Sequence, residues 1–215
     1  VERELAGTCD RILMTSTKEK DNLLRHYSAR EETIAVVPCG VDLDLFRPLD
    51  KAQARRRIGA AMDEILALYV GRFAPEKGLE RLLKAAACLK SLPRLRLIVV
   101  GGDGNGDPDY RRMLQMSQAY GLSERVTFVG RVDQGDLPVF YNAADMLVVP
   151  SAYESFGMVA LESLACGTPV AATCVGAMEE LLRDHNTGRL ATDLKPETLA
   201  AAMNSLLNGR EMQPV

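Results

Sequence analysis

Apolar residues fall in two rhythms along this chain. Short continuous runs at 66–70, 95–100, 126–129, 146–150, 169–173 and 188–191 have the length of strands buried on both faces. Between them the spacing turns helical. Leu79, Leu82, Leu83, Ala86 and Leu89 recur about one turn apart within 78–91. Further helices are predicted over 110–120, closed by Gly121, over 137–144, and over 158–166, closed by Gly167. The last two span 177–183 and 196–207, the second with Pro196 at its start. Strand and helix alternate throughout. That predicts a mainly parallel sheet with helices on both faces, a doubly wound Rossmann-like α/β domain.

Residues 1–47 follow a different pattern. Arg11-Ile12-Leu13-Met14 is a short apolar stretch. Ser16-Thr17-Lys18-Glu19 fits a capping box, with Ser16 capping and Glu19 reaching back, ahead of a helix through Leu23, Leu24 and Tyr27. A strand over 34–37 stops at Pro38, and the stretch from Cys39 to Pro48 has the Gly, Asp and Pro punctuation of a connection. One or two strands and a helix cannot close a core. Residues 1–47 are therefore read as the tail of a preceding domain plus a linker, and 48–215 as the domain proper. A chain opening on Val1 without methionine is expected to begin inside a longer protein.

Composition narrows the function. The chain has 215 residues, 47% hydrophobic and 26% charged, which suits a globular domain. A net charge of −3 and 5% aromatic content argue against nucleic acid as a partner. The five cysteines, Cys9, Cys39, Cys88, Cys166 and Cys174, form no CxxC pair. They read as small apolar residues of a reducing, cytoplasmic protein. No run approaches the ~20 apolar residues of a membrane span.

In doubly wound sheets, ligands bind beyond the carboxyl ends of the strands, so the loops after each strand carry the function. After the first strand comes Gly71-Arg72-Phe73-Ala74-Pro75-Glu76-Lys77-Gly78. Arg72 and Lys77 straddle a turn, one as a fork and one as a point charge, as a phosphate ligand requires. From this loop alone two solvated cations fit as well. After the second strand, Gly102-x-Gly104-x-x-Asp107 imitates a dinucleotide fingerprint, but the third glycine is missing and Pro108 follows. It reads either as a glycine loop beside a ligand or as a plain turn. Gly130-Arg131-Val132-Asp133 lies over the same sheet edge. After the strand ending at Pro150, Gly157 precedes a helix, so the amides of Met158 and Val159 are free to meet an anion. Glu154 and Glu162 lie eight residues apart, and Glu162 sits among apolar neighbours, where a carboxylate needs a partner. A ribose diol would supply one; a surface helix position is the alternative.

Gly71-Arg72-Phe73-x-x-Glu76-Lys77-Gly78, followed by Glu154-Ser155-Phe156-Gly157 and Glu162, closely resembles the retaining GT-B glycosyltransferases. The resemblance is greatest to the group holding sucrose-phosphate synthases and the inositol-phosphate glycosyltransferases of mycothiol synthesis. It extends to the linker Pro38-Cys39-Gly40-Val41-Asp42-x-x-x-Phe46-x-Pro48 and to 162–169. It implies transfer of a sugar from a nucleotide-diphosphate sugar, with a uridine diphosphate donor favoured, to an unidentified acceptor. The implied catalytic residues are Arg72, Lys77 and Glu154. Arg72 and Lys77 would hold the diphosphate, Glu162 the ribose, and Glu154 with the backbone at Phe156 and Gly157 the sugar. Met158 and Val159 amides would reach phosphate, and the backbone at Arg131 and Val132 the base. Gly71 completes the donor loop. No metal or cofactor is implied, so Asp42-Leu43-Asp44 reads as linker structure. His26 and His185 lack a general-base setting. Peripheral membrane association would belong to the full-length enzyme only. Against the family pattern, most of an N-terminal domain and a closing helix after Met212 are lacking, so this chain by itself is expected to bind donor weakly and transfer poorly. A binding module without catalysis is the competing expectation, and an NAD-binding domain a third.

Overall fold

The computed structural model describes residues 2–104, 106–183 and 186–210. Val1, His185 and Met212, each named above, lie outside the described residues.

The chain opens with α1 (Glu2–Thr8), β1 (Ile12–Met14), α2 (Thr17–Tyr27) and β2 (Ile34–Val36). β1 and β2 pair in parallel as a small sheet of their own. Ser16 caps α2 as expected, its hydroxyl accepting from Glu19 N at 3.2 Å. The return bond differs. Glu19 Oε2 accepts from Thr15 N at 3.0 Å and Thr15 Oγ1 at 2.6 Å, so the reciprocal bond is displaced one residue before the cap. α2 also leans on the main domain, with Lys18 Nζ donating to Cys174 O at 2.8 Å and Thr17 N to Glu180 Oε1 at 2.9 Å.

α3 (Lys51–Arg57) follows, capped by Asp50, which accepts from Gln53 N at 2.6 Å. Its sequence gives no apolar stripe; Ala54 and Arg55 are its buried residues.

The main sheet holds β3 (Ile65–Val70), β4 (Leu95–Val100), β5 (Val126–Gly130), β6 (Met146–Val149), β7 (Val170–Thr173) and β8 (Gly188–Ala191). All neighbours run parallel in the order β5-β4-β3-β6-β7-β8. The doubly wound α/β fold is thus the fold found. The strands alternate sides along their length. Ala67 and Tyr69 face the core beneath α4 (Leu79–Cys88), α5 (Pro108–Ala119) and α9 (Pro196–Arg210). Leu66 and Leu68 face the opposite core, beneath α3, α6 (Leu137–Ala143), α7 (Met158–Ala165) and α8 (Met178–Leu181). Phe46 from the connection is buried in that second core, edge-on to Tyr141 at 6.0 Å. Pro108 opens α5 behind the Asp107 cap instead of merely ending the glycine loop. α8 is shorter than its 177–183 expectation, because Leu182 leaves the helical conformation and turns into the core.

The chain builds outward from β3 to β5, then returns to lay β6 on the other side of β3. The strand order reverses between β3 and β6, and a crevice opens beyond their carboxyl ends.

Candidate functional site

Two loops meet at this crevice, one leaving β3 and one leaving β6. Ala152 N donates to Glu76 O at 2.7 Å and joins them directly. Arg81 of α4 adds a second tie, donating to Pro150 O and, at 2.7 Å, to Leu194 O. Below the first loop, Tyr69 OH donates to Arg72 O at 2.8 Å. Burial, with the nearby Glu154 and Glu76 carboxylates, drives the Tyr69 phenol far above its ordinary pKa, so it stays protonated and keeps that bond. The floor is bare backbone. Gly101 has φ 128, and a Cβ there would run into Gly71 O, so the ends of β3 and β4 approach as only glycine allows.

The two cations sit differently. Lys77 Nζ is bound by both oxygens of Glu154, at 2.8 and 2.9 Å. Ser151 Oγ donates to Glu154 Oε1 at 2.8 Å, and the Glu154 side chain is 11% exposed. Arg72 reaches outward, 79% exposed and 3.6 Å from Glu76. Both cations line one cleft of about 440 Å³ together with Gly71, Glu154, Phe156 and Gly157.

Gly157 takes φ 104, and a Cβ at that position would overlap Met178 Cε. Glycine is therefore required for the loop to turn into α7. Ala160 N is already bonded to Gly157 O at 3.0 Å. Among the described residues no acceptor meets the amides of Met158 and Val159, and both residues line the same cleft. Such a helix start presents donors and a partial positive charge.

Glu162 lies one turn further along α7, 7% exposed, and Tyr141 OH donates to its Oε2 at 2.7 Å. Burial raises the Glu162 pKa, and the phenol bond partly opposes this. Burial beside Glu162 pushes Tyr141 far above its ordinary value and lifts Cys166 to about 11. Glu162 does not itself line the 440 Å³ cleft; Met158 and Val159, one turn earlier on the same helical face, do.

Arg131 and Val132 line a neighbouring cleft of about 420 Å³ that shares Val70, Gly71 and Arg72 with the first. Arg131 is 78% exposed and pairs with Asp103 of the glycine loop. Glu154 is also a wall of a larger space of about 610 Å³ between α2 and the loop, with His26, Tyr27 and Tyr153. Of the residues expected at the site, Gly71, Arg72, Lys77, Glu154, Phe156, Gly157, Met158 and Val159 line the first cleft, Arg131 and Val132 line the neighbouring one, and Glu162 lies one helical turn behind. Tyr69, Ser151 and Tyr141 were missed. Ser151 carried a signal, since it directly follows a strand end; the tyrosines read only as core.

Asp42 Oδ1 accepts from Asp44 N at 2.9 Å and Leu45 N at 3.2 Å, so this carboxylate closes a turn of the linker. The described cysteines are free thiols in mixed settings: Cys166 is buried, Cys88 exposed, and Cys39 lines the 440 Å³ cleft. Among the described residues no helix is long and apolar enough to cross a membrane.

The family described as glycosyl transferases group 1 matches residues 50–214. The chain belongs to this family. As a group 1 glycosyltransferase chain it is 40% identical over 217 residues to a D-inositol 3-phosphate glycosyltransferase of Geodermatophilus obscurus, a match covering 98% of this chain and 48% of that protein. Sucrose-phosphate synthase from Thermosynechococcus elongatus superposes with a TM-score of 0.86 at 38% identity, over 96% of this chain and 51% of that one. Anabaena HepE, solved in complex with UDP, superposes with a TM-score of 0.83 at 27% identity, over 94% of this chain and 55% of that one. The chain spans about half the length of the curated relatives it matches.

Proposed function

We propose that this chain carries the donor site of a glycosyltransferase that moves a sugar from a nucleoside diphosphate, uridine diphosphate by preference, to an acceptor. The observation that carries this reading is the convergence at one strand-order reversal of Arg72, Lys77, two free helix amides and the Glu154 carboxylate. The cations and amides suit a diphosphate. Glu154 suits sugar hydroxyls, and Glu162 behind them suits the ribose diol. The base lies along the neighbouring cleft, against the backbone at Arg131 and Val132. The family relation to a protein solved with UDP supports that base.

In the resting geometry Lys77 and Glu154 neutralise one another. A bound donor would divide the pair, its phosphate taking the ammonium and its sugar taking the carboxylate. Negative charge develops on the diphosphate as the bond to the sugar breaks. Arg72, Lys77 and the amides of Met158 and Val159 are placed to offset it, the type of preorganised stabilisation that contributes most to many enzymes. The acceptor enters from the side of residues 1–47 and forms its bond on the face the diphosphate leaves, so the anomeric configuration is retained. The charge is met by side chains and amides, and the reaction proposed takes no metal.

Calorimetric titration of UDP, GDP and NAD into the folded chain and into the Arg72→Ala, Lys77→Ala double variant tests this reading. Binding of UDP that falls at least about 100-fold in the double variant is expected, since hydrogen bonds to charged groups contribute about 1.5–3 kcal/mol each. Preference for NAD, or equal binding by both proteins, overturns it.

A further inference from the structure

Glu162 is the one carboxylate of the site held inside the domain, and its two oxygens are not equivalent. Oε2 accepts from Tyr141 OH at 2.7 Å. Among the described residues no donor reaches Oε1, and no buried side-chain polar atom lacks a partner. Oε1 therefore keeps solvent contact although Glu162 is only 7% exposed. Side chains on a helix tilt toward its N-terminus, so the Glu162 side chain shares a helical face with the turn formed by Met158 and Val159, and both of these line the cleft.

Tyr141 has no freedom to move away. Its side chain is fully buried, Phe46 of the linker meets its ring edge-on, and Thr168 Oγ1 donates to its carbonyl at 2.7 Å. The next residue, Asn142, receives Leu49 N at 2.7 Å and donates to Arg47 O at 3.1 Å, so the linker itself is fastened to this turn of α6.

We infer that Tyr141 is a positioning residue: its phenol occupies Oε2 of Glu162 and so presents Oε1 alone, held in one orientation, to the hydroxyls of a nucleoside diphosphate's ribose. The inference rests on the donor-site reading above. A tyrosine suits the task, because it donates one proton, accepts nothing that the carboxylate offers, and is too deeply buried to ionise. The titratable groups facing Glu162 are Tyr141 from α6 and Cys166, which follows the end of α7.

The test titrates UDP and 2′-deoxy-UDP into the folded parent chain, Tyr141→Phe, Glu162→Gln and the double variant, across pH 5–9. The parent is expected to prefer UDP over the deoxy analogue, and Glu162→Gln to lose that preference. Tyr141→Phe is expected to lose about tenfold in UDP affinity at neutral pH, the lower range for a hydrogen bond to a charged group. Removing the phenol also removes the bond that lowers the Glu162 pKa. The acid limb of binding then moves to higher pH in Tyr141→Phe, while titration of UDP itself is common to both proteins and cancels. The double variant is expected to match Glu162→Gln, because Tyr141 acts only through that carboxylate. A Tyr141→Phe profile parallel to the parent's, or a double variant weaker than Glu162→Gln, overturns the inference and leaves the donor site standing. A parent that binds UDP and its deoxy analogue alike also overturns it. A folded parent that binds neither UDP nor GDP removes the donor reading and this inference together. If Tyr141→Phe fails to fold, the comparison of the double variant with Glu162→Gln, which carries no buried charge, decides.

Discussion

β6 has a carboxylate beyond each end, and the two are employed in opposite ways. Asp145 precedes the strand and faces Arg55, which is 2% exposed in its side chain. Arg55 donates to Asp145 at 2.7 Å and to the carbonyls of Ala61, Met62, Ala143 and Glu64 at 2.8–3.1 Å. Asp145 also receives Lys51 and the amide of Leu66. All three guanidinium nitrogens donate, and α3, β3 and β6 are locked together. Glu154 follows the strand and faces Lys77, a pair with no further cation and one hydroxyl in support. Around it stand free amides, an outward arginine and a left-handed glycine. Cation and carboxylate occur at both ends. Saturated bonding at the amino end makes structure, and open bonding capacity at the carboxyl end makes a site.

The sharpest way to break this comparison is Arg55→Ala. It takes the guanidinium from Asp145, which keeps Lys51 and the Leu66 amide, and removes the Arg55 donor from four carbonyls, and a loss of about 3 kcal/mol or more in denaturant unfolding is expected. A loss as small as that of a surface residue would refute the locking role. Gly157→Ala comes next. It places a side chain at φ 104 and into Met178, and is expected to lower stability by about 1–3 kcal/mol and to weaken diphosphate binding as well. The companion variant Met178→Ala relieves the overlap but not the backbone strain, so only part of the loss should return.

Glu162→Gln is expected to act in the other direction on stability. The folded-state pKa of Glu162 is raised, so the folded protein favours its proton more than the unfolded chain does. The parent therefore loses stability as pH rises through the unfolded and then the folded pKa. Glutamine escapes that loss. The variant should melt above the parent at pH 8, and the difference should vanish toward pH 4, while ribose recognition is lost. An identical Tm at both pH values would show that burial costs this carboxylate nothing. The smallest effect is expected from Arg131→Ala. Its pair with Asp103 is exposed on both sides, and unfolding should shift by no more than about 0.5 kcal/mol.

Much of the fold was legible because the central strands β3, β6 and β7 are apolar on both faces and α4 carries a clear stripe. α3 escaped notice: its sequence Lys-Ala-Gln-Ala-Arg-Arg-Arg shows no stripe, and its inward group is an arginine. α1 lacks any periodic signal that distinguishes it from a loop. At the site, Arg72, Lys77, Glu154 and Gly157 were readable because they follow strands in motif order. Tyr69 and Tyr141 were not, since a tyrosine in an apolar run looks like packing until its hydroxyl partner is known.

Local sequence by itself determined the α/β alternation, the loops that carry chemistry and the free amides ahead of α7, because each depends on residues close along the chain. Tertiary structure decided which loops face one another. Strand order alone sets β3 against β6, residues about 80 apart, and so brings Lys77 to Glu154. It also decided that Phe46 and Tyr141 stand behind Glu162, for a buried hydrogen bond belongs to the packing of distant segments, and no local pattern records it.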